Sequence, residues 1–402
     1  MSAKEDALRI IRFNNKITQM LTARLFYFLF FAGMASLMPY FAMHFQHRGM
    51  TGTQVGILTG LLPLVGMITA PLWSALADTT RRHKAVLLLT TGGAALSVAA
   101  MTQAETFTGL LLTVFLFAVC LAPIIPIVDS AVLTMLGTRK TAYGRVRLLG
   151  PLGPALAGPL VANWVGRWGL NMSFYSFTVC FLLLFLLLTQ LKIRVDSLSV
   201  SFSRGVRNLL GNAKFGGFLL VAFLGMVGYA AIMTYLYIRM EELGATKTLM
   251  GFALTMGTIG ELPFLFLSTK LLKRFGARGT LISSLTAMSI MLVGFSLARA
   301  PWILLALQLL HGTAFSGMAI SGVAYADEVA PAGMSTTAQG IFNAVYGGLA
   351  LAVGAFTSSV VRDNWGSPVM FRVASASALL GLVIFLTTSN RVQVISQELK
   401  PI

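Results

Sequence analysis

PIIPIVDSAVLTMLGTRKTAYGRVRLLGPLGPALAGP, residues 123–159, carries two apolar runs and the short polar turn between them. Asp129 sits inside the first run. Arg145 and Arg147 open the second. Gly137, Thr138, Arg139 and Lys140 lie in the turn. Two membrane-spanning runs joined this way form an antiparallel helical hairpin. Counted outward from about Thr138, Asp129 and Arg147 are nearly equally far along their helices. At ~1.5 Å rise per residue each reaches ~13 Å from the turn, so the two share a depth. A lone carboxylate or guanidinium in hydrocarbon is costly, and two of opposite sign at one depth offset each other's desolvation. Positions 145 and 147 point ~200° apart on a helix, so one of the two faces Asp129. The expected partner is Arg147. Such a pair either pins two helices together or takes part in gating or substrate binding.

Composition supports the membrane reading. The 402 residues are 56% hydrophobic and 11% charged, where a soluble chain carries roughly a quarter of its residues charged. Apolar runs of bilayer-spanning length recur along the sequence. A soluble enzyme or binding module does not fit. The net charge of +17 is not a nucleic-acid footprint, because no basic face is interleaved with aromatics. Cys120 and Cys180 are too few for a disulfide framework and lack metal spacing. The polar start MSAKEDALRIIRFNNK shows no small-residue cleavage site, so the first spanning helix is expected to direct insertion.

Twelve apolar spans are expected: about 22–46, 53–78, 84–102, 107–134, 144–167, 171–191, 215–240, 248–272, 278–298, 301–326, 335–361 and 368–389. The expected fold is an all-α membrane protein, with twelve transmembrane helices in two six-helix pseudo-symmetric bundles. The N-terminal bundle is 1–191, the cytoplasmic linker 192–214 and the C-terminal bundle 215–402. With the N-terminus in the cytoplasm, Lys and Arg favour cytoplasmic segments by about threefold, which places both termini there. One turn departs from this, holding Asp327 and Glu328 but no base.

Two sets of six spans around a basic linker resemble the major facilitator superfamily. The loop after span two, SALADTTRRHK, supplies the acid of the superfamily pattern at Asp78 and its basic end at Arg81 and Arg82. Ser74 and Thr79 replace its leading Gly and following Arg. In the second half, STKLLKRFGAR keeps Arg274 and Gly276 but has Lys273 in the acidic slot. The two loops lie about half a chain apart, as a duplicated six-span unit requires. PIIPIVDS, YGRVRLLG, STKLLKRFGARGTLISS and PWILLALQLLHG resemble the lactose-permease-like branch, and within it the phenylpropionate-permease type.

Few ionisable residues sit deep in the spans. Glu261 is mid-span in the eighth and His311 mid-span in the tenth, with Gln308 one turn before it. At similar depth they can share a proton, since an imidazole titrates near neutral pH and an intramembrane carboxylate is functional by default. The plainer readings are a packed histidine bonded to a carbonyl and a structural hydrogen-bonded acid. The resemblance implies substrate and proton roles for Glu261 and His311, and sugar-binding roles for Asp129 and Arg147. Ala314 stands where lactose permease has an acid, and LISSLTAMSIMLVGF lacks its coupling Arg. Tyr40, Tyr229, Tyr235, Asn343 and Tyr346 are candidates to line a cavity, against the plainer reading of packing or interface anchors. Asp78, Arg81 and Arg82 are expected to make cytoplasmic charge contacts that favour one access state.

The expected function is secondary active transport of a small organic solute across the cytoplasmic membrane by alternating access, as proton symport. The alternative is a proton-antiporting exporter of drugs or metabolites, suggested by GPLGPALAGP. A membrane protein that does not transport is the remaining reading. No enzymatic activity, cofactor, metal or nucleic-acid partner is expected; a monomer in the bilayer, exchanging solute and protons, is.

Overall fold

A computed structural model describes residues 3–136, 146–147, 149–191, 209, 211–330 and 334–398. Arg145, the turn at 137–140 and most of the expected linker lie outside the described residues. Helices and short turns make up the described chain, and no strand occurs among these residues.

The helices are α1 (Ala3–His47), α2 (Gly52–Thr80), α3 (His83–Met101), α4 (Phe107–Leu121), α5 (Ile124–Leu136), α6 (Leu152–Trp168) and α7 (Asn171–Gln190). There follow α8 (Ala213–Glu242), α9 (Lys247–Leu297), α10 (Pro301–Leu307), α11 (Gly317–Val329), α12 (Ser335–Asn343) and α13 (Ala350–Glu398). A 3₁₀ turn (Gln308–Leu310) and a π turn (Gly312–Ser316) join α10 to α11, and a second π turn (Ala344–Leu349) joins α12 to α13.

Local sequence explains several of the starts. Thr51 and Gln54 form a reciprocal capping box at α2: Gln54 N donates to Thr51 Oγ1 at 3.3 Å and Thr51 N to Gln54 Oε1 at 3.0 Å. Asn212 Oδ1 accepts from Lys214 N and Phe215 N at α8, and Thr246 Oγ1 accepts from Leu249 N at α9. Pro301 opens α10, where its missing N–H costs nothing.

Interruptions have equally local causes. The run 107–134, expected as one helix, is divided into α4 and α5 around Pro123, with Pro126 in the first turn of α5. In the expected fifth span Val146 and Arg147 are helical, Gly150 N bonds back to Arg147 O at 2.8 Å, and α6 follows from Leu152. α9 and α13 are too long for single crossings; the 51 residues of α9 would extend ~76 Å, against a ~30 Å hydrocarbon core. Each is broken at a glycine with left-handed φ, Gly276 (68°) and Gly366 (79°), a conformation that costs a residue with a Cβ.

Side chains are arranged for an apolar surround. Leu72, Leu89, Leu96 and Phe266 are 64%, 64%, 71% and 88% exposed on their helices, and nine described helical runs are long and apolar enough to cross a bilayer. Contacts divide the chain into two compact units: Met1–Leu37 with Ile68–Leu198, and Met38–Met67 with Ser199–Ile402. The first is cored by Phe30, Phe117, Phe177 and Phe181, with Phe177 stacked on Phe181 at 4.0 Å. In the second, Phe218 stacks on Phe342 at 5.4 Å, and Phe295 meets Phe371 edge-on at 5.5 Å.

Candidate functional site

Two polar clusters stand in this apolar setting, one in each unit. The one in the second unit depends on contact between backbones. A Cβ on Gly312 would lie 2.1 Å from Gly260 O and 2.6 Å from Glu261 Cα, and one on Gly260 would lie 2.3 Å from Leu309 O. Glycine at both positions lets α9 and the α10–α11 segment touch. Irregular turns then re-aim the side chains, since a π turn adds a residue to the helical repeat. Ser316 Oγ donates to Glu261 Oε1 at 2.6 Å. Tyr229 Oη and His311 Nε2 are 2.7 Å apart. Phe315 stacks on both Tyr229 (4.8 Å) and His311 (5.5 Å). Tyr346 is buried, stacks on Phe342 at 5.0 Å, and directs its hydroxyl at Phe315 O, 3.4 Å away.

Glu261 and His311 are both half-buried and bonded to neighbouring side chains rather than turned outward. Gln308 is buried one turn before His311. The group thus combines an acid, an imidazole, an amide and hydroxyls, able to hold a proton or bind a polar solute group. Among the described residues no three His, Cys, Asp or Glu side chains gather as metal ligands.

The cluster in the first unit is smaller. Arg147 Nη1 lies 3.5 Å from Asp129 Oδ2. Tyr27 Oη donates to Asp129 Oδ1 at 2.6 Å. The guanidinium carbon stands over the rings of Tyr27 (5.6 Å) and Phe31 (5.7 Å), a cation–π arrangement. The carboxylate is therefore held by a hydroxyl and a cation together.

The remaining expected site residues lie elsewhere. Tyr40 is buried edge-on against Tyr237 at 5.0 Å, in a pair of its own. Tyr235 donates to Ser359 Oγ at 2.5 Å. Asn343 is exposed at the end of α12. Asp78 faces His83, with Oδ1 at 2.8 Å from Nε2, while Arg81 and Arg82 are exposed. Arg81 has a left-handed φ of 54°, unusual for a residue with a side chain.

One more polar group occurs in the second unit. Asp363 Oδ2 accepts from Thr53 N at 3.2 Å, at the start of α2, where a carboxylate complements the helix dipole. Beside it, Glu242 Oε1 accepts from Arg362 Nη2 at 3.0 Å and Ser367 Oγ at 2.7 Å. Gln46, Met50, Thr51, Gly52, Val55, Tyr235, Arg362 and Asp363 line a cavity of about 290 Å³ here.

Sequence reasoning missed Tyr27, Ser316 and His83. Tyr27 meets Asp129 across 102 residues, a separation no local pattern reveals. Ser316 is five residues after His311, off the regular helical face, and joins the group through the π turn. His83 was detectable as a neighbour of Asp78 in SALADTTRRHK.

Comparison with known proteins agrees with this architecture. The model of the MFS_1 like family matches residues 20–373. A maltose permease of Geobacillus stearothermophilus is 26% identical over 378 residues, covering 93% of this chain and 95% of the relative. A probable 3-phenylpropionic acid transporter of Escherichia coli (strain K12) is 25% identical over 313 residues, covering 74% and 80%. Among solved structures, a variant of the nucleoside transporter NupG superposes with a TM-score of 0.84 at 16% identity, covering 92% of this chain and 99% of its own. A bacterial homologue of the lysosomal transporter Spinster, inward-facing and unoccupied, gives 0.65 at 15% identity, covering 93% and 98%. With glycine-packed membrane helices and a family model spanning most of its length, this chain belongs to the MFS_1-like family, within the major facilitator superfamily of membrane transporters.

Proposed function

We propose that this transporter imports a small polar organic solute together with a proton, by alternating access. The observation that carries the reading is the Glu261–Ser316 and His311–Tyr229 pairing within membrane-spanning helices. An acid and an imidazole within membrane spans are costly, so their presence there points to a functional role. Glu261 and His311 carry the proton. Gln308, Tyr229 and Tyr346 bind solute beside them, with Tyr40 and Asn343 lining its path. Asp129 and Arg147 bind solute from the other cluster, and Asp78, Arg81 and Arg82 bias one access state.

The proposed frame is two six-span halves, 1–191 and 215–402, joined by a cytoplasmic linker at 192–214. Two of the nine long runs are broken at a glycine and can each cross twice, and the 17-residue α6 adds a crossing. The bias in Lys and Arg supports cytoplasmic termini and a place in the cytoplasmic membrane. The protein works as a monomer. The names of its relatives, a maltose permease and a 3-phenylpropionic acid transporter, support a small organic solute as cargo.

Maltose, uridine and 3-phenylpropionate uptake into reconstituted vesicles tests the reading. Glu261→Gln is expected to keep counterflow exchange and to lose uphill uptake driven by a proton gradient. Uphill uptake that persists unchanged removes the coupling role. The Gly- and Pro-rich start of α6, GPLGPALAGP, favours a second reading, export in exchange for protons. Solute added to right-side-out vesicles acidifies the interior on import and alkalinises it on export.

A further inference from the structure

Two polar atoms in the second-unit cluster have no hydrogen-bond partner. Gln308 is only 4% exposed, and its Oε1 is buried and unpaired. His311 Nδ1 is likewise buried and unpaired, although Nε2 on the same ring meets Tyr229. Both atoms face one place on α9. A Cβ on Gly257 would lie 3.9 Å from Gln308 Oε1 and 3.9 Å from His311 Nδ1, with His311 Cγ at 3.8 Å and nothing nearer. Gly257 is itself buried and one turn before Glu261, on the same helical face.

Gly257 differs from its neighbour Gly260, whose Cβ would meet backbone. The Cβ position at Gly257 is unfilled, and the side chains that border it are polar. Buried polar groups are nearly always paired, so two unpaired atoms converging on one gap mark a missing group. Gln308 accepts there through Oε1, or donates if the amide is turned. His311 Nδ1 donates or accepts according to tautomer. A hydroxyl, donor and acceptor at once, satisfies every combination.

We propose that the gap beside Gly257 takes one hydroxyl group, from a resident water or a hydroxyl-bearing solute, which bridges Gln308 and His311. The solute case rests on the transport reading above; the water case does not. In either case Gln308 and His311 act as one recognition unit, and the hydroxyl links the imidazole to a second polar side chain.

Gly257→Ala and Gly257→Ser test this, because either side chain fits without touching backbone. Thermal melting of the purified protein is measured first, with no solute present. A resident water predicts that Gly257→Ala melts several degrees lower, although alanine favours a helix, and that Gly257→Ser recovers the loss by placing its own hydroxyl in the gap. Uptake into vesicles is measured next, with maltose, uridine and 3-phenylpropionate as probes. A solute hydroxyl predicts unchanged melting of Gly257→Ala, but a KM raised about tenfold for maltose or uridine and not for 3-phenylpropionate. Unchanged or higher melting of Gly257→Ala with uptake of every transported probe unaltered overturns the proposal, as does a melting loss that Gly257→Ser fails to recover with that uptake unaltered. Failure of the transport reading shows separately, as absence of uptake by the unsubstituted protein.

Discussion

The Asp129–Arg147 pair joins two charges that the protein only partly buries, with side chains 24% and 40% exposed. Pairs of this kind contribute little, typically below ~1 kcal/mol, because side-chain entropy and screening offset the attraction. The short bond from Tyr27 to the carboxylate is the better-defined contact, since hydrogen bonds to charged acceptors are the stronger kind. A double-mutant cycle with Asp129→Asn and Arg147→Gln, read by thermal melting, is therefore expected to give a coupling of ~0.5–1 kcal/mol. A coupling of ~3 kcal/mol or more would mean that the pair behaves as fully buried. The opposite charges at matched depth were legible in the sequence. Arg147 is itself helical, and the break falls after it, where Gly150 N bonds back to Arg147 O ahead of α6.

At the scale of helices, Gly312 is the most constrained position around the acid and imidazole. Gly312→Ala would place a methyl 2.1 Å from Gly260 O. The two segments must then part or the π turn must reform, at ~1–3 kcal/mol. Melting measurements should show that loss, while Gly66→Ala, whose Cβ would meet nothing within 4 Å, should stay within ~0.5 kcal/mol of the parent. Equal effects at both positions would remove the close-approach argument. The helix starts at Thr51–Gln54 and Asn212 were legible because their caps are written within four residues. The π turns were not legible, because GTAFS and AVYGGL read as ordinary helix. Their extra residue is what brings Ser316 round to Glu261, so the acid's partner was missed for the same reason.

At the scale of the molecule, the fold was the most legible feature. Scarce charge, repeated apolar runs and alternating basic loops are spread over hundreds of residues and do not depend on local detail. The grouping of segment 38–67 with the second unit was not legible, because it depends on contacts such as Thr53 with Asp363, 310 residues apart. That contact also offers a mechanical test. A Cβ on Gly52 would fall 2.3 Å from the Asp363 carboxyl carbon, so the two Cβ positions are near enough for a disulfide. Gly52→Cys with Asp363→Cys, in a background of Cys120→Ser and Cys180→Ser, should tether the head of α2 to α13 under oxidant. Uptake should stop and resume on reduction. Uptake that continues in the tethered protein would mean that these helices travel together through the whole cycle. The aspartate at the head of α2 thus marks where a reversible brake can be fitted without touching the acid, the imidazole or the solute.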